Sequence, residues 1–570
     1  MTRMTRTLAP PTTAPDLWCT YAAVRTLSWL GRADRTPRLG ETAAFVRGRR
    51  NADGGYAWSK GMTSDAWATF YCSATLADLG EPVDDVDATA RWLLSTWSGE
   101  AFGMMPGQPA EVWATHFSTR TAIEVCGVDV PDRQALLHWL HRLQAPNGGL
   151  GWSPEHAATG EADVRACYYG VAAWRALCSR EHLNPPWDVP ALTAWLRAQQ
   201  TPAGGFVFAT GDEVPCMWAT FRAVGALSAL GAAPSADPTG WILGQRDGSG
   251  AFRRWPGYEV SDVWASFCAI GALRELGGVP AEAADAVERR LAELSCEDGG
   301  FTYREPHRAA DALNISAAAM LLTPQDPELA VARRWLEGCL LPNENGIMYM
   351  PGRGAEVRCT LWALQAGAFH DSPRTLDAIG SWLGALQNPD GGVGYWKGRG
   401  SDLVSAASAV EILGLTGARD ALDRDRLVDF VHACAGPGHA EYGNVPGAAP
   451  TARSAFHALR VMDVAGRADR GDVVDVLERH GVRGGGWANE GRRMPDLLTT
   501  YEAVMTADRF GIDVETDRLD AFLERTSSGG RAAWSPLAPP TDEPMAATLH
   551  ELLRRRASRT VHPLPALSLS

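Results

Sequence analysis

Between Ser249 and Leu276 the chain reads SGAFRRWPGYEVSDVWASFCAIGALREL, a Gly/aromatic loop that runs into an apolar segment. Val263, Trp264, Phe267, Ile270, Leu273 and Leu276 occupy every face of the helix this segment would form. A helix without a polar face is a buried one. The next segment behaves differently. Ala284, Val287, Leu291 and Leu294 recur at three and four residues, while Glu282, Asp285, Glu288, Arg289 and Arg290 take the other side. That pattern predicts an amphipathic outer helix. The unit is therefore a loop, an inner helix that opens on an acid (Asp262), a short turn and an outer helix.

The unit repeats. Acid-led inner helices are predicted to start at Asp16, Asp65, Glu111, Asp163, Asp262, Asp311, Glu356, Asp402 and Asp496, about 48 residues apart, and Cys216 and Thr451 fill the two double gaps. This reading gives about eleven helical hairpins. Loops such as NADGGYAW at Asn51, QAPNGGLGW at Gln144, CEDGGFTY at Cys296 and QNPDGGVGYW at Gln387 precede them. Glycine permits the positive φ of a tight turn, and the aromatic can fold beneath it. Hairpins of this kind close into rings whose inner helices line a centre. The long loops all enter at the N-terminal ends of inner helices, so ligand chemistry is expected at that mouth.

Composition narrows the function classes. With 45% hydrophobic and 21% charged residues over 570 positions, the chain can bury two domain-sized cores. A net charge of −14 disfavours nucleic acid as a partner. No apolar run has membrane-spanning length, and the opening MTRMTRTLAPPTTAP lacks a secretory core, which points to a cytoplasmic protein. The eleven cysteines lie mostly in apolar helices and form no CxxC pair, as expected of buried thiols in a reducing compartment. Oligomeric state is not legible.

The Gly/aromatic loops led by Gln144, Gln200, Gln245 and Gln387 resemble the QW repeats of squalene-hopene cyclases and the related repeats of protein prenyltransferase β subunits, over nearly the whole chain. The resemblance implies an all-α fold of two α/α barrels. Two barrels in one chain look like the class II terpene cyclases, whose DxDDTA motif supplies the acid that protonates an alkene. The matching segment is DALNISAAAMLL from Asp311, a degenerate form with Leu313 at the position of the proton donor and Asn314 at the third acid. VSDVWAS at Val260 is similar to the VSDCTAE of oxidosqualene cyclases and places Asp262 at the acid. By this resemblance, residues 1–30 join the second barrel, 31–295 form the first barrel, 296–545 form the second, and 546–570 are a C-terminal helix and loose tail. GEADVRACYYGVAA at Gly160 resembles a prenyltransferase helix, but no inner helix begins Asp-x-Cys and no histidine stands at ligand spacing, so no zinc or other metal site is expected.

Each of these acids has an ordinary use as a helix N-cap. A proton donor to an alkene must be more, a buried and neutral carboxylic acid with a raised pKa. Asp311 is the first candidate, followed by Asp402, Glu356 and Asp262. Carbocations need π faces, for which Trp362, Phe456, Tyr501, Tyr303, Tyr349 and Trp396 are candidates, all expected in the second ring. Arg358 and Arg453, near inner-helix starts, are candidates for an anionic group. The resemblance implies a cyclase acting on a linear isoprenoid, such as a C15 or C20 prenyl diphosphate, with Mg2+ as companion of the diphosphate and no other cofactor. The alternatives are a non-catalytic isoprenoid-binding or scaffold protein on the same fold, or a prenyltransferase-like transferase.

Overall fold

The computed structural model describes residues 15–58, 63–179, 181–258, 261–303, 311–349, 354–541 and 544–569. They fall into two compact units, one within residues 11–309 and the other within 310–570.

In the first unit six inner helices pack each against the next and close a ring: α1 (Leu17–Trp29), α2 (Ala66–Asp78), α3 (Val112–Arg120), α4 (Val164–Cys178), α5 (Met217–Ala229) and α6 (Val263–Glu275). In α6 every residue from Val263 to Leu273 is buried. The outer helix that follows, Ala281–Glu293, buries only one face through Ala283, Ala284, Ala286, Val287 and Leu291. In the second unit α7 (Ala312–Ala319), α8 (Val357–Gln365), α9 (Leu403–Thr416), α10 (Ala452–Val464), α11 (Leu497–Arg509) and α12 (Pro544–Ala557) form another ring of six. The strands described are short, Ser527–Ser528, Arg531–Ala533 and Pro540–Thr541, in one antiparallel set.

The acids act as caps. Asp16, Asp65, Asp262, Asp311, Asp402 and Asp496 each accept the backbone N–H three residues on. A second repeated device lies four residues after the N-cap. Thr20, Thr69, Thr115, Thr220, Thr360 and Thr500 accept, through Oγ1, the N–H of the residue folded under the turn: Phe301, Tyr56, Phe102, Phe206, Ile347 and Trp487. This satisfies a buried donor that the tight turn would otherwise orphan. The paired glycines have a steric reason too. A Cβ on Gly391 (φ +87) would lie 2.2 Å from the carbonyl oxygen of Arg426.

Two features correct the expected domain plan. The first is α1, which does not cross to the second ring but sits between α2 and α6 of the first. Its Trp18 packs on Trp67 at 4.7 Å, Trp264 at 4.9 Å, Trp58 at 5.8 Å and Tyr71 at 5.7 Å. At about 0.5–1.5 kcal/mol per aromatic pair beyond area burial, this cluster holds α1 there. The loop Cys296–Tyr303, expected to open the second barrel, closes the first: Asp16 N donates to Phe301 O at 3.0 Å. Phe301 and Tyr303 therefore belong to the first unit.

The second correction is α12, which is a twelfth inner helix and not an appendage. It lies between α7 and α11, and Thr548 Oγ1 donates to Ala317 O at 2.7 Å. The segment after it is no loose tail, because Leu564, Leu567, Ser568 and Leu569 are buried.

Candidate functional site

Three carboxyls open neighbouring inner helices of the second ring. Asp311 caps α7, with Oδ1 accepting Asn314 N at 2.8 Å and Oδ2 accepting Asn314 Nδ2 at 2.7 Å. Glu356 precedes α8 and is 1% exposed; it accepts the Cys359 thiol at 2.6 Å and lies 3.3 Å from Arg358 Nε. Asp402 caps α9 and accepts both Ser405 N, at 2.8 Å, and Ser405 Oγ, at 2.9 Å. Arg358 is the charge these carboxyls share. Its guanidinium lies 5.4 Å from the Tyr395 ring centre. Burial pushes the Asp311 carboxyl above its ordinary value, and the Asn314 bonds and Arg358 oppose this only in part. Burial pushes Asp402 up to about 6 against the Ser405 bonds and the charges of Arg399 and Arg358. On the next inner helix, Arg453 near the start of α10 holds Nε and Nη1 buried, with no hydrogen-bond partner among the described residues.

Below this mouth the ring centre is polar and occupied. Glu502 of α11 takes His457 Nε2 at 2.8 Å and Arg460 Nη2 at 2.9 Å, and all three are buried. Burial alone would raise the Glu502 carboxyl, but Arg460 and His457 hold it below its ordinary value. The segment after α12 runs through this centre. Leu564 N, Leu567 N and Leu569 N bond in turn to Asp508 Oδ2 (3.2 Å), Met505 Sδ (3.1 Å) and Glu502 Oε1 (2.8 Å). It thus enters from the C-terminal end of α11 and runs antiparallel to it. Tyr501 donates to Pro565 O at 2.9 Å, Gln365 to Ala566 O at 3.1 Å, Arg460 to Leu567 O at 2.8 Å and Trp362 to Ser568 O at 3.4 Å.

The first ring is filled differently. Trp18, Trp67, Trp113, Trp264, Tyr71 and Phe117 pack its N-terminal half. A cavity of about 380 Å³ opens at the other end, floored by Tyr21, Trp29, Tyr168, Phe221 and Phe267 and rimmed by Arg25, Arg120, Arg175 and Arg274. This is the short-turn mouth, opposite the expected one. At its wall α3 passes into a π-helical turn over Thr121–Val125 that presents Glu124 to Arg120 at 2.8 Å. Asp78 is tied to Arg25 at 2.5 Å. Arg222 is buried, donates to Tyr169 OH at 2.9 Å, and keeps Nε and Nη1 without a hydrogen-bond partner among the described residues.

The model for the prenyltransferase alpha-alpha toroid domain matches residues 5–100, 96–239, 188–346, 257–478 and 452–523. The chain belongs to the prenyltransferase alpha-alpha toroid family. No curated protein matches the chain. Among solved structures the toroid chain is similar to ent-copalyl diphosphate synthase from Streptomyces platensis, with 17% identity, 95% of this chain and 96% of that one covered, and a TM-score of 0.39. It is similar to Candida albicans protein geranylgeranyltransferase-I complexed with GGPP, with 15% identity, 52% and 93% covered, and a TM-score of 0.36. It is also similar to a type II terpene cyclase from Scytonema, with 16% identity, 42% and 71% covered, and a TM-score of 0.32.

In this toroid protein the residues singled out in the sequence separate into two places. Asp311, Glu356, Asp402, Arg358, Arg453, Tyr349, Trp396, Trp362, Phe456 and Tyr501 lie in the second unit. Asp262 and Tyr303 lie in the first, joined through Arg254, whose Nε meets Asp262 Oδ2 at 2.6 Å and whose Nη2 donates to the Tyr303 hydroxyl. Asp262 also caps α6, so it is committed to a structural pair, and Tyr303 is corrected out of the second ring. Val260, the loop 305–310 before Asp311 and His307 lie outside the described residues. Leu313 is buried on α7. The sequence reading missed Glu502, His457 and Arg460. Their signal was present as charges on otherwise apolar inner helices, where an unpaired charge is not tolerated. Among the described residues no group of three or more His, Cys, Asp or Glu side chains could hold a metal ion, and no helix is long and apolar enough to cross a membrane.

The Asp402 environment has a measurable consequence. Its folded pKa, about 6, lies above the ordinary aspartate value of 3.8, so the folded state holds this proton the more tightly. The stability it contributes is fully present below about pH 4 and is lost as pH rises through about 6. Relative to Asp402→Asn, the parent should lose roughly 3 kcal/mol between pH 4 and pH 7, at 1.36 kcal/mol per pKa unit. Urea denaturation of both chains at several pH values measures this; a constant difference would contradict the raised pKa.

Proposed function

We propose that this toroid protein cyclises a linear isoprenoid, a C15 or C20 prenyl diphosphate, at the N-terminal mouth of its second ring. The observation that carries the reading is the desolvated carboxyl of Asp402 at the start of α9, raised to about 6, with a second raised carboxyl, Asp311, at the start of α7 in the same ring. An acid with a pKa near the working pH is suited to donate a proton in the transition state. Asp402 would protonate the alkene and Tyr349, Tyr395 and Trp396 would face the cation. The buried N–H groups of Arg453 that have no hydrogen-bond partner among the described residues would take the diphosphate, with Mg2+ entering as its counterion. The first-ring cavity supports this chemistry less well, because of the carboxylates that line it Glu124 is tied to Arg120 and Glu275 accepts the Ser228 hydroxyl at 2.6 Å.

A second reading, a non-catalytic isoprenoid-binding protein, is favoured by Leu313 at the expected donor position and by the occupied ring centre. Incubating the protein with prenyl diphosphates and polyprenes, with and without Mg2+, and analysing products by mass spectrometry separates the two. Cyclic isomers of one substrate are the expected result. Saturable binding with every linear substrate recovered unchanged would establish the second reading.

A further inference from the structure

We infer that residues 561–569 are a displaceable plug that occupies the isoprenoid's seat in the second ring. The inference rests on the reading of that ring as the isoprenoid site. Trp362 and Tyr501, two side chains the sequence assigns to substrate, are the ones whose polar atoms hold this segment, through Ser568 O and Pro565 O. The occupant also resembles the proposed ligand. Leu564, Leu567 and Leu569 each bury a branched four-carbon side chain at short intervals along the segment, much as an isoprenoid carries branched five-carbon units in series.

The way the segment is held suits release. It forms no helix or strand. Its backbone is held largely by ring side chains, Tyr501, Gln365, Arg460, Trp362 and Glu502, one bond at a time. Each such bond contributes about 0.5–1.5 kcal/mol net. Withdrawing the segment leaves both rings of six helices standing, so it is a local opening and not global unfolding. Glu502 keeps His457 and Arg460 as partners when the segment leaves, so the opening strands no isolated charge.

Two measurements test this. Deletion of residues 561–570 should expose the seat to the apolar dye 1-anilinonaphthalene-8-sulfonate, and a synthetic peptide of residues 561–570 should reverse the dye signal. In the full chain, Ser568→Cys should react with a maleimide through local opening, at a rate insensitive to low urea. Geranylgeranyl diphosphate at ten times its measured Kd should hold about nine-tenths of the chains open, bringing the rate close to that of an unprotected cysteine. If the cysteine reacts only at the rate of global unfolding, the segment is permanent core and the inference is overturned, even if the deleted chain fails to fold. If the dye and peptide results hold but the prenyl diphosphate changes nothing, the plug stands and the isoprenoid reading fails.

Discussion

Asp402→Asn is expected to lower cyclisation about 10²- to 10⁴-fold, the usual contribution of a general acid. The carboxyl is buried at the start of α9 and raised to about 6. Asparagine caps a helix about as well as aspartate, so Ser405 N keeps an acceptor and the fold should survive. Thermal unfolding and circular dichroism at pH 5 check that point. Asp65→Asn, at the matching cap of α2 in the first ring, should leave turnover unchanged. Asp311→Asn is the informative comparison. A loss there with full turnover in Asp402→Asn would move the proton donor to Asp311. Full turnover in both would end the protonation mechanism at this mouth.

Arg460→Met is expected to destabilise the protein by about 3–5 kcal/mol, the cost of stranding a buried charge. Arg460 bonds Glu502 at 2.9 Å, Leu567 O at 2.8 Å and Ser568 Oγ at 3.3 Å, at 1% side-chain exposure. Methionine fills similar volume but leaves Glu502 with only His457 and the neutral Leu569 N–H as partners. His457 cannot compensate fully, because burial holds its pKa below the ordinary value despite Glu502. Adding Glu502→Gln should recover much of the loss, since the uncompensated charge is then gone. Chemical denaturation of the single and double variants reads both effects. A single-variant loss below about 1 kcal/mol, the range of exposed pairs, would mean that water reaches this cluster.

Much of the architecture is legible in the residues. The apolar wheel of Val263–Leu273 and the one-sided pattern of Ala281–Glu293 separate inner from outer helices because burial on all sides and burial on one side demand different compositions. The aspartate-led starts mark real N-caps because an N-terminal N–H needs an acceptor wherever it lies, whereas Glu111 and Glu356 open their helices without a side-chain cap bond. The hydroxyl four residues later could have been read as well: Thr20, Thr69, Thr115, Thr220, Thr360 and Thr500 stand at one offset from each start.

The twelfth inner helix, α12, escaped although the loop SSGGRAAW and the acids Asp542 and Glu543 stand ahead of it, because the Pro-rich stretch SPLAPPTDEP separates the loop from a helix that is not apolar all round. It is basic at its end through Arg554, Arg555 and Arg556, a pattern that reads locally as surface. Arg556 is in fact held by Asp508 at 2.6 Å, a partner 48 residues distant.

By itself, then, the sequence determined what each repeat could specify within its own hairpin: helix, cap, turn, and which face is buried. Only the tertiary structure decided how the rings close and what fills them. Trp18 has apolar partners to gain in either ring, and its place beside Trp67 and Trp264 follows from packing between distant helices. The segment VHPLPALSL, residues 561–569, looks like a disordered tail because it has no periodicity. It is ordered because Glu502, Arg460, Trp362 and Tyr501 converge on it from three helices, and hydrogen bonds between residues so far apart in the chain leave no local trace in the sequence.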